Sequence, residues 1–217
     1  MDIIWHGRTC FTIKSKDGTI VTDPYSLDGF KAPKLKADIV VSSMEVKNED
    51  YLPVEGDVKR LDWPGEYDVK GIPVFGFRAW NIPKSEEDKG TQKKEVTVFT
   101  FELEGVKFCH LGYLGHKPTD DMTANLQNID VLFVPVGGSN AMDAKKAHEV
   151  IEEIEPKIVI PMLYKYPGEK LDLNNIDEFL KEEGVKTPTE LEKFSISSKG
   201  QLPQDHTEFV ILKAAIG

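Results

Sequence analysis

Cysteine is nearly missing from this sequence: Cys10 and Cys109 are the only two in 217 residues. Both sit in apolar, strand-like runs, so buried thiols are expected and a disulfide framework is excluded. Long apolar runs are missing too. No stretch approaches the roughly 18 apolar residues of a membrane-spanning helix, and no membrane association is expected. The opening Met-Asp-Ile-Ile-Trp-His-Gly lacks the basic and apolar stretches of a secretory leader, which makes a cytoplasmic setting the expectation. Positive charge is also in short supply. Against 27 Lys and Arg stand 37 Asp and Glu, for a net charge of -10. Nucleic-acid affinity comes mostly from clustered cations, so no nucleic-acid partner is expected, although a small local basic site is compatible with this balance.

What is present suits a soluble globular chain: 40% hydrophobic and 29% charged residues. A domain of this length buries about 70% of its unfolded surface and needs neither disulfides nor metal to fold. Residues 1–217 read as one domain. The first half consists of short β-segments, with hairpin turns at Lys16-Asp17-Gly18 and Glu104-Gly105. The polar stretch 83–94 reads as a surface excursion, with a lid over a site as its functional alternative. The second half alternates strand and helix. Thr119 and Asp143 are placed to cap helices. Ala144, Ala147, Val150, Ile151 and Ile154 share one helical face, and a further helix near Asn175 to Glu183 stops at Gly184. A last strand is expected over Glu208 to Leu212. Strands first and βαβα after predict sheets packed together with helices outside.

Six segments occur in order: Trp5-His6-Gly7-Arg8-Thr9-Cys10-Phe11, Thr22-Asp23-Pro24, Pro64-Gly65-Glu66-Tyr67, His110 to His116 (His-Leu-Gly-Tyr-Leu-Gly-His), Val134 to Gly138 and Ile160-Pro161-Met162. Together they resemble the metallo-β-lactamase fold, in its small Zn-dependent-hydrolase-like branch, nearly end to end. The resemblance implies an α/β protein with a four-layer αββα sandwich and an active cleft at one rim.

Metal-bearing members of that family carry His-x-His-x-Asp-His after the strand that matches Asp38 to Val41. On the resemblance, Met44 and Val46 stand at the first two histidines, Asn48 at the aspartate and Glu49 at the last histidine. Asn81 takes the place of the next ligand, Tyr113 that of the bridging aspartate and Leu163 that of the final histidine. Thioether, isopropyl, phenol and isobutyl groups are poor zinc ligands, and zinc hydrolysis needs about three protein ligands and an open position. The expectation is therefore a vestigial site, no cofactor where the family would use zinc, and catalytic residues unknown.

Glu45, His110 and His116 are the candidates for a metal-free polar pocket. Positioning of their loop by hydrogen bonds is the preferred reading of the two histidines. Arg8 is a candidate anion ligand or a surface residue, and Asp23 reads as an acceptor for loop amides. Three functions compete: a non-hydrolytic member binding a small molecule or protein partner; a hydrolase with a rebuilt metal site using His110, His116, Glu45, Glu49 or Asp120; and a structural subunit of an active relative. A homo- or hetero-oligomer is compatible with each.

Overall fold

Both predicted hairpins form, and each joins strands that build a sheet. In the computed structural model, which describes residues 1–81 and 94–215, the first half contributes β1 (Asp2–Gly7), β2 (Cys10–Lys14), β3 (Thr19–Thr22), β4 (Leu35–Lys36), β5 (Ile39–Val41), β6 (Val54–Glu55) and β7 (Lys59–Leu61). Then follow β8 (Gly65–Val69), β9 (Ile72–Trp80), β10 (Glu95–Leu103) and β11 (Val106–His110). The second half runs α1 (Asp120–Asn125), β12 (Val131–Pro135), α2 (Ala144–Ile154), β13 (Ile158–Met162), α3 (Asp177–Glu182), β14 (Glu190–Leu191), β15 (Phe194–Ser195), β16 (Glu208–Phe209) and β17 (Ile211–Leu212).

Two mixed sheets result. One has the order β15-β1-β2-β3-β5-β7, the other β16-β13-β12-β11-β10-β9-β8. Hairpins make the antiparallel parts, β1-β2-β3 and β8 to β11; crossovers through α1 and α2 make β11, β12 and β13 parallel. In the β10–β11 turn, Glu104 and Gly105 both take positive φ, as a two-residue turn matching strand twist requires.

Alternation along the strands decides the core. Ile3, Trp5, Phe11, Ile13 and Ile20 of the first sheet join Phe99, Phe101, Phe108 and Phe133 of the second in one buried cluster. The opposite face of the first sheet carries a smaller cluster, Cys10, Val21 and Val40 under Phe30, Leu35 and Ala37. Both cysteines are buried and free.

The caps form as expected: Thr119 Oγ1 accepts from the Met122 amide and Asp143 Oδ1 from that of Lys146. Two expectations change. The last strand splits, β16 extending the second sheet beside β13 while β17 pairs with β14, with Val210 buried between them. The helix expected from Asn175 starts at Asp177, because Asn174 and Lys165 are bonded to one another's segments first. The polar stretch from 83 to 93 lies outside the described residues, as does the question of a lid.

Candidate active site

Asp23, at the exit of β3, organises the rim. Its carboxylate accepts from the Ser43 amide and from Ser43 Oγ, both at 2.6 Å, and from the Tyr25 hydroxyl at 2.9 Å. The Tyr25 oxygen in turn accepts from the Met44 amide at 2.9 Å. The loop after β5 is thereby tied to β3. Its other side is tied to the second sheet, since the Thr97 amide donates to Ser43 O at 2.8 Å and Met44 bridges to Val96. Gly112 completes the joint. It has φ +56°, and a Cβ there would lie 2.2 Å from Ser43 Cβ, so neither its conformation nor its surroundings admit a side chain.

The seven positions singled out by the resemblance fall into four settings. Met44 and Val46 are half-buried and line an open cleft of about 760 Å³ together with Glu45, Asp62 and the exposed Trp63. Asn48 and Glu49 lie in an exposed single turn, where Asn48 Oδ1 accepts from Arg60 at 3.1 Å. Asn81 closes the ends of β9 and β10: its amide donates to Lys94 O, and its side-chain oxygen accepts from the Lys94 amide. Tyr113 and Leu163 are buried instead. Burial, with the Asp23 charge nearby, raises the Tyr113 phenol well above its ordinary pKa, so it stays neutral. Leu163 takes φ +54°, and its amide donates to Arg8 O at 3.0 Å.

Glu45, His110 and His116, the candidates for a polar pocket, sit in different surroundings. Glu45 is exposed on the cleft. His110 is fully buried against Phe11 and Phe133, and its Nε2 lies 3.0 Å from Thr9 O. A carbonyl only accepts, so Nε2 carries the proton. Burial lowers the His110 pKa, and Nδ1 has no partner among the described residues. His116 Nε2 accepts from the Trp80 amide at 3.2 Å, which leaves Nδ1–H to donate to Lys117 O. Both rings position backbone. Asp120 sits in the first turn of α1.

Sequence reasoning missed the partner of Arg8. The guanidinium grips Glu169 in two places, Nε to Oε2 and Nη2 to Oε1, each 2.9 Å, and Nη1 donates to Leu27 O at 2.7 Å. Arg8 is thus neither a surface residue nor a free anion ligand. No local pattern marks Glu169, which stands just after the Pro167-Gly168 turn.

A zinc centre implied by the fold requires converging imidazoles and carboxylates. Among the described residues no group of three or more His, Cys, Asp and Glu side chains is placed to hold a metal ion. The side chains at the matched positions do not fit a two-ion site, as a thioether, an isopropyl, a neutral phenol and an isobutyl cannot replace an ion's hydration.

Comparison with known proteins places the chain. The family model described as beta-lactamase superfamily domain matches residues 2–163. A UPF0173 protein of Pyrococcus abyssi is 25% identical over 180 residues, covering 76% of this chain and 83% of its own. A UPF0173 metal-dependent hydrolase of Thermoplasma acidophilum is 25% identical over 191 residues, with the same coverage. A solved structure from Thermotoga maritima, assigned to the Zn-dependent hydrolases of the metallo-β-lactamase superfamily, superposes with a TM-score of 0.77. It shares 31% identity and covers 97% of both chains. These relatives correct the expectation that no cofactor is used: their names make metal use the expectation for a member of this group. The domain match over residues 2–163, and the fold it shares with that structure, make this chain a member of the metallo-β-lactamase superfamily.

Proposed function

We propose that this chain uses the rim cleft to bind a ligand or a partner segment, and does not carry out dinuclear hydrolysis there. What supports the reading is the chemistry at two pairs of matched positions: the apolar Met44 and Val46 line the cleft, while Tyr113 and Leu163 are buried and do not reach it. A hydrolytic centre needs an open coordination position facing substrate. Here Tyr113 and Leu163 are buried, and the matched side chains that do face the cleft are a thioether and an isopropyl group. Trp63, 56% exposed, adds a large aromatic surface to the same cleft. Four carboxylates line it, Glu45, Asp50, Asp62 and Glu95, against the two cations Lys47 and Lys94. An apolar group carrying positive charge suits that wall.

Isothermal titration with naphthylethylamine and naphthylacetate tests the preference. The amine should bind saturably, the carboxylate much more weakly, and Trp63→Ala should weaken the amine markedly. Equal affinity for both, or binding indifferent to Trp63→Ala, would remove the support for this ligand class. The relatives' names favour a second reading, metal-dependent hydrolysis at a rebuilt site. Glu45 and Glu49 are then the exposed donors, and turnover by metal-supplemented protein separates the two readings.

A further inference from the structure

A second concavity lies on the other side of the first sheet, away from the rim cleft. Its floor is set by strand alternation. Ile3, Trp5, Phe11, Ile13 and Ile20 point into the shared core, so Ile4, His6, Thr12, Lys14 and Thr19 face the opposite way. Among the described residues of this half, two short 3-10 turns, Leu27–Gly29 and Asn48–Asp50, are the helical elements. The segment carrying β4 covers part of that face by burying Leu35 and Ala37 over Cys10, Val21 and Val40. Beside that cover the described residues leave a cavity of about 640 Å³. Pockets for small organic ligands span roughly 300–1,000 Å³.

The cavity's charge runs against that of the chain. Four lysines line it, Lys14, Lys34, Lys36 and Lys70, against two carboxylates, Asp38 and Asp57, in a protein of net charge -10. Two of the lysines are already engaged: Lys70 with Asp38 at 2.9 Å and Lys34 with Glu55 at 2.6 Å. Asp38 is further occupied, as its second oxygen accepts from the Thr19 amide. Lys14 and Lys36 have no ion-pair partner among the described residues, and the cavity they line also offers partly exposed apolar surface from Ile4, Pro33 and Ala215. Thr12 adds a hydroxyl, paired to His6 Nε2 at 2.8 Å. Two free cations at the mouth and aliphatic surface within are complementary to a molecule charged at one end.

The geometry points to a binding site on the outer face of the first sheet for a small amphipathic organic anion, its phosphate or carboxylate held by Lys14 and Lys36 and its apolar body laid against Ile4, Pro33 and Ala215. This site is separate from the rim cleft and does not depend on the function proposed for it. The two sites have opposite charge preferences.

Titration calorimetry of the full chain with octyl phosphate, octanoate and 1-octanol tests the assignment, each below its aggregation concentration. At least one anion should bind saturably at one site, with octanol about tenfold weaker or more, since a charged hydrogen-bonded contact contributes about that factor. The anion that binds more tightly identifies the headgroup. Lys14→Glu with Lys36→Glu should weaken the anion about tenfold or more, while Trp63→Ala leaves it unchanged. Both lysines are exposed, so the double variant keeps the fold, and its circular dichroism checks this. Failure of both anions to saturate would overturn the assignment. So would octanol binding as tightly as the anions, affinity unaffected by the double charge reversal, or loss of binding in Trp63→Ala.

Discussion

Arg8 and Glu169, 161 positions apart in the chain, form a two-pronged ion pair with both side chains almost wholly buried. It fastens the turn between β1 and β2 to the segment after β13, and Leu163, in that same segment, donates to Arg8 O. Burial alone would raise the Glu169 pKa. Hydrogen bonds from Arg8 and from the Leu171 amide outweigh it and hold the carboxyl at about 2.

The sign of the resulting pH dependence follows. A carboxylate depressed from 4.5 to about 2 stabilises the fold fully above the unfolded value and loses that contribution as pH falls from 4.5 toward 2. The contribution is on the order of 3 kcal/mol. Arg8→Met should cost about 3–5 kcal/mol near neutrality by stranding the Glu169 charge. Its deficit should shrink on acidification as Glu169 protonates, which urea unfolding at pH 7 and pH 4 will read. Arg8→Met with Glu169→Leu should recover most of the loss.

Gly112 is a second sensitive point. Alanine there must take a left-handed φ and drive its Cβ into Ser43. We expect Gly112→Ala to cost at least about 2 kcal/mol and to loosen the Asp23–Ser43 hydrogen bonds. Hydrogen exchange of the Ser43 and Met44 amides would register that loosening. Unchanged protection would show that the joint has slack.

His148 links two helices, its Nδ1 lying 3.2 Å from Glu183 Oε2 at the end of α3. The Glu183 hydrogen bond raises the His148 pKa above 6.5. Stability from the pair is therefore complete below 6.5 and is lost as pH rises through the folded value. The site is partly solvated, so the effect is about 1 kcal/mol or less. The stability difference between the protein and His148→Leu should narrow from pH 6 to pH 9.

The fold was largely readable because its signals are local or periodic. Glu104-Gly105 announces a hairpin, and Asp143 with the stripe from Ala144 to Ile154 announces a helix. Asp23 as an acceptor of loop amides follows from its place at a strand exit. The site was less readable. Resemblance assigns Met44, Val46, Tyr113 and Leu163 to one locus but says nothing about exposure, and the structure puts two on a cleft and two in the core. The Arg8–Glu169 pair was hidden because long-range pairing leaves no periodic trace. For His110 and His116 the sequence offers loop positioning as well as a pocket role, and their carbonyl and amide partners show the former.

Initial-rate hydrolysis by the full chain supplemented with Zn²⁺ or Mn²⁺, measured against β-lactam, ester, thioester and phosphodiester substrates, is the most direct test of a binding cleft that does not hydrolyse. The expected result is no turnover above that of the metal ions alone. Saturable turnover that is lost in Glu45→Ala or Glu49→Ala would contradict it and establish a rebuilt catalytic centre at the rim.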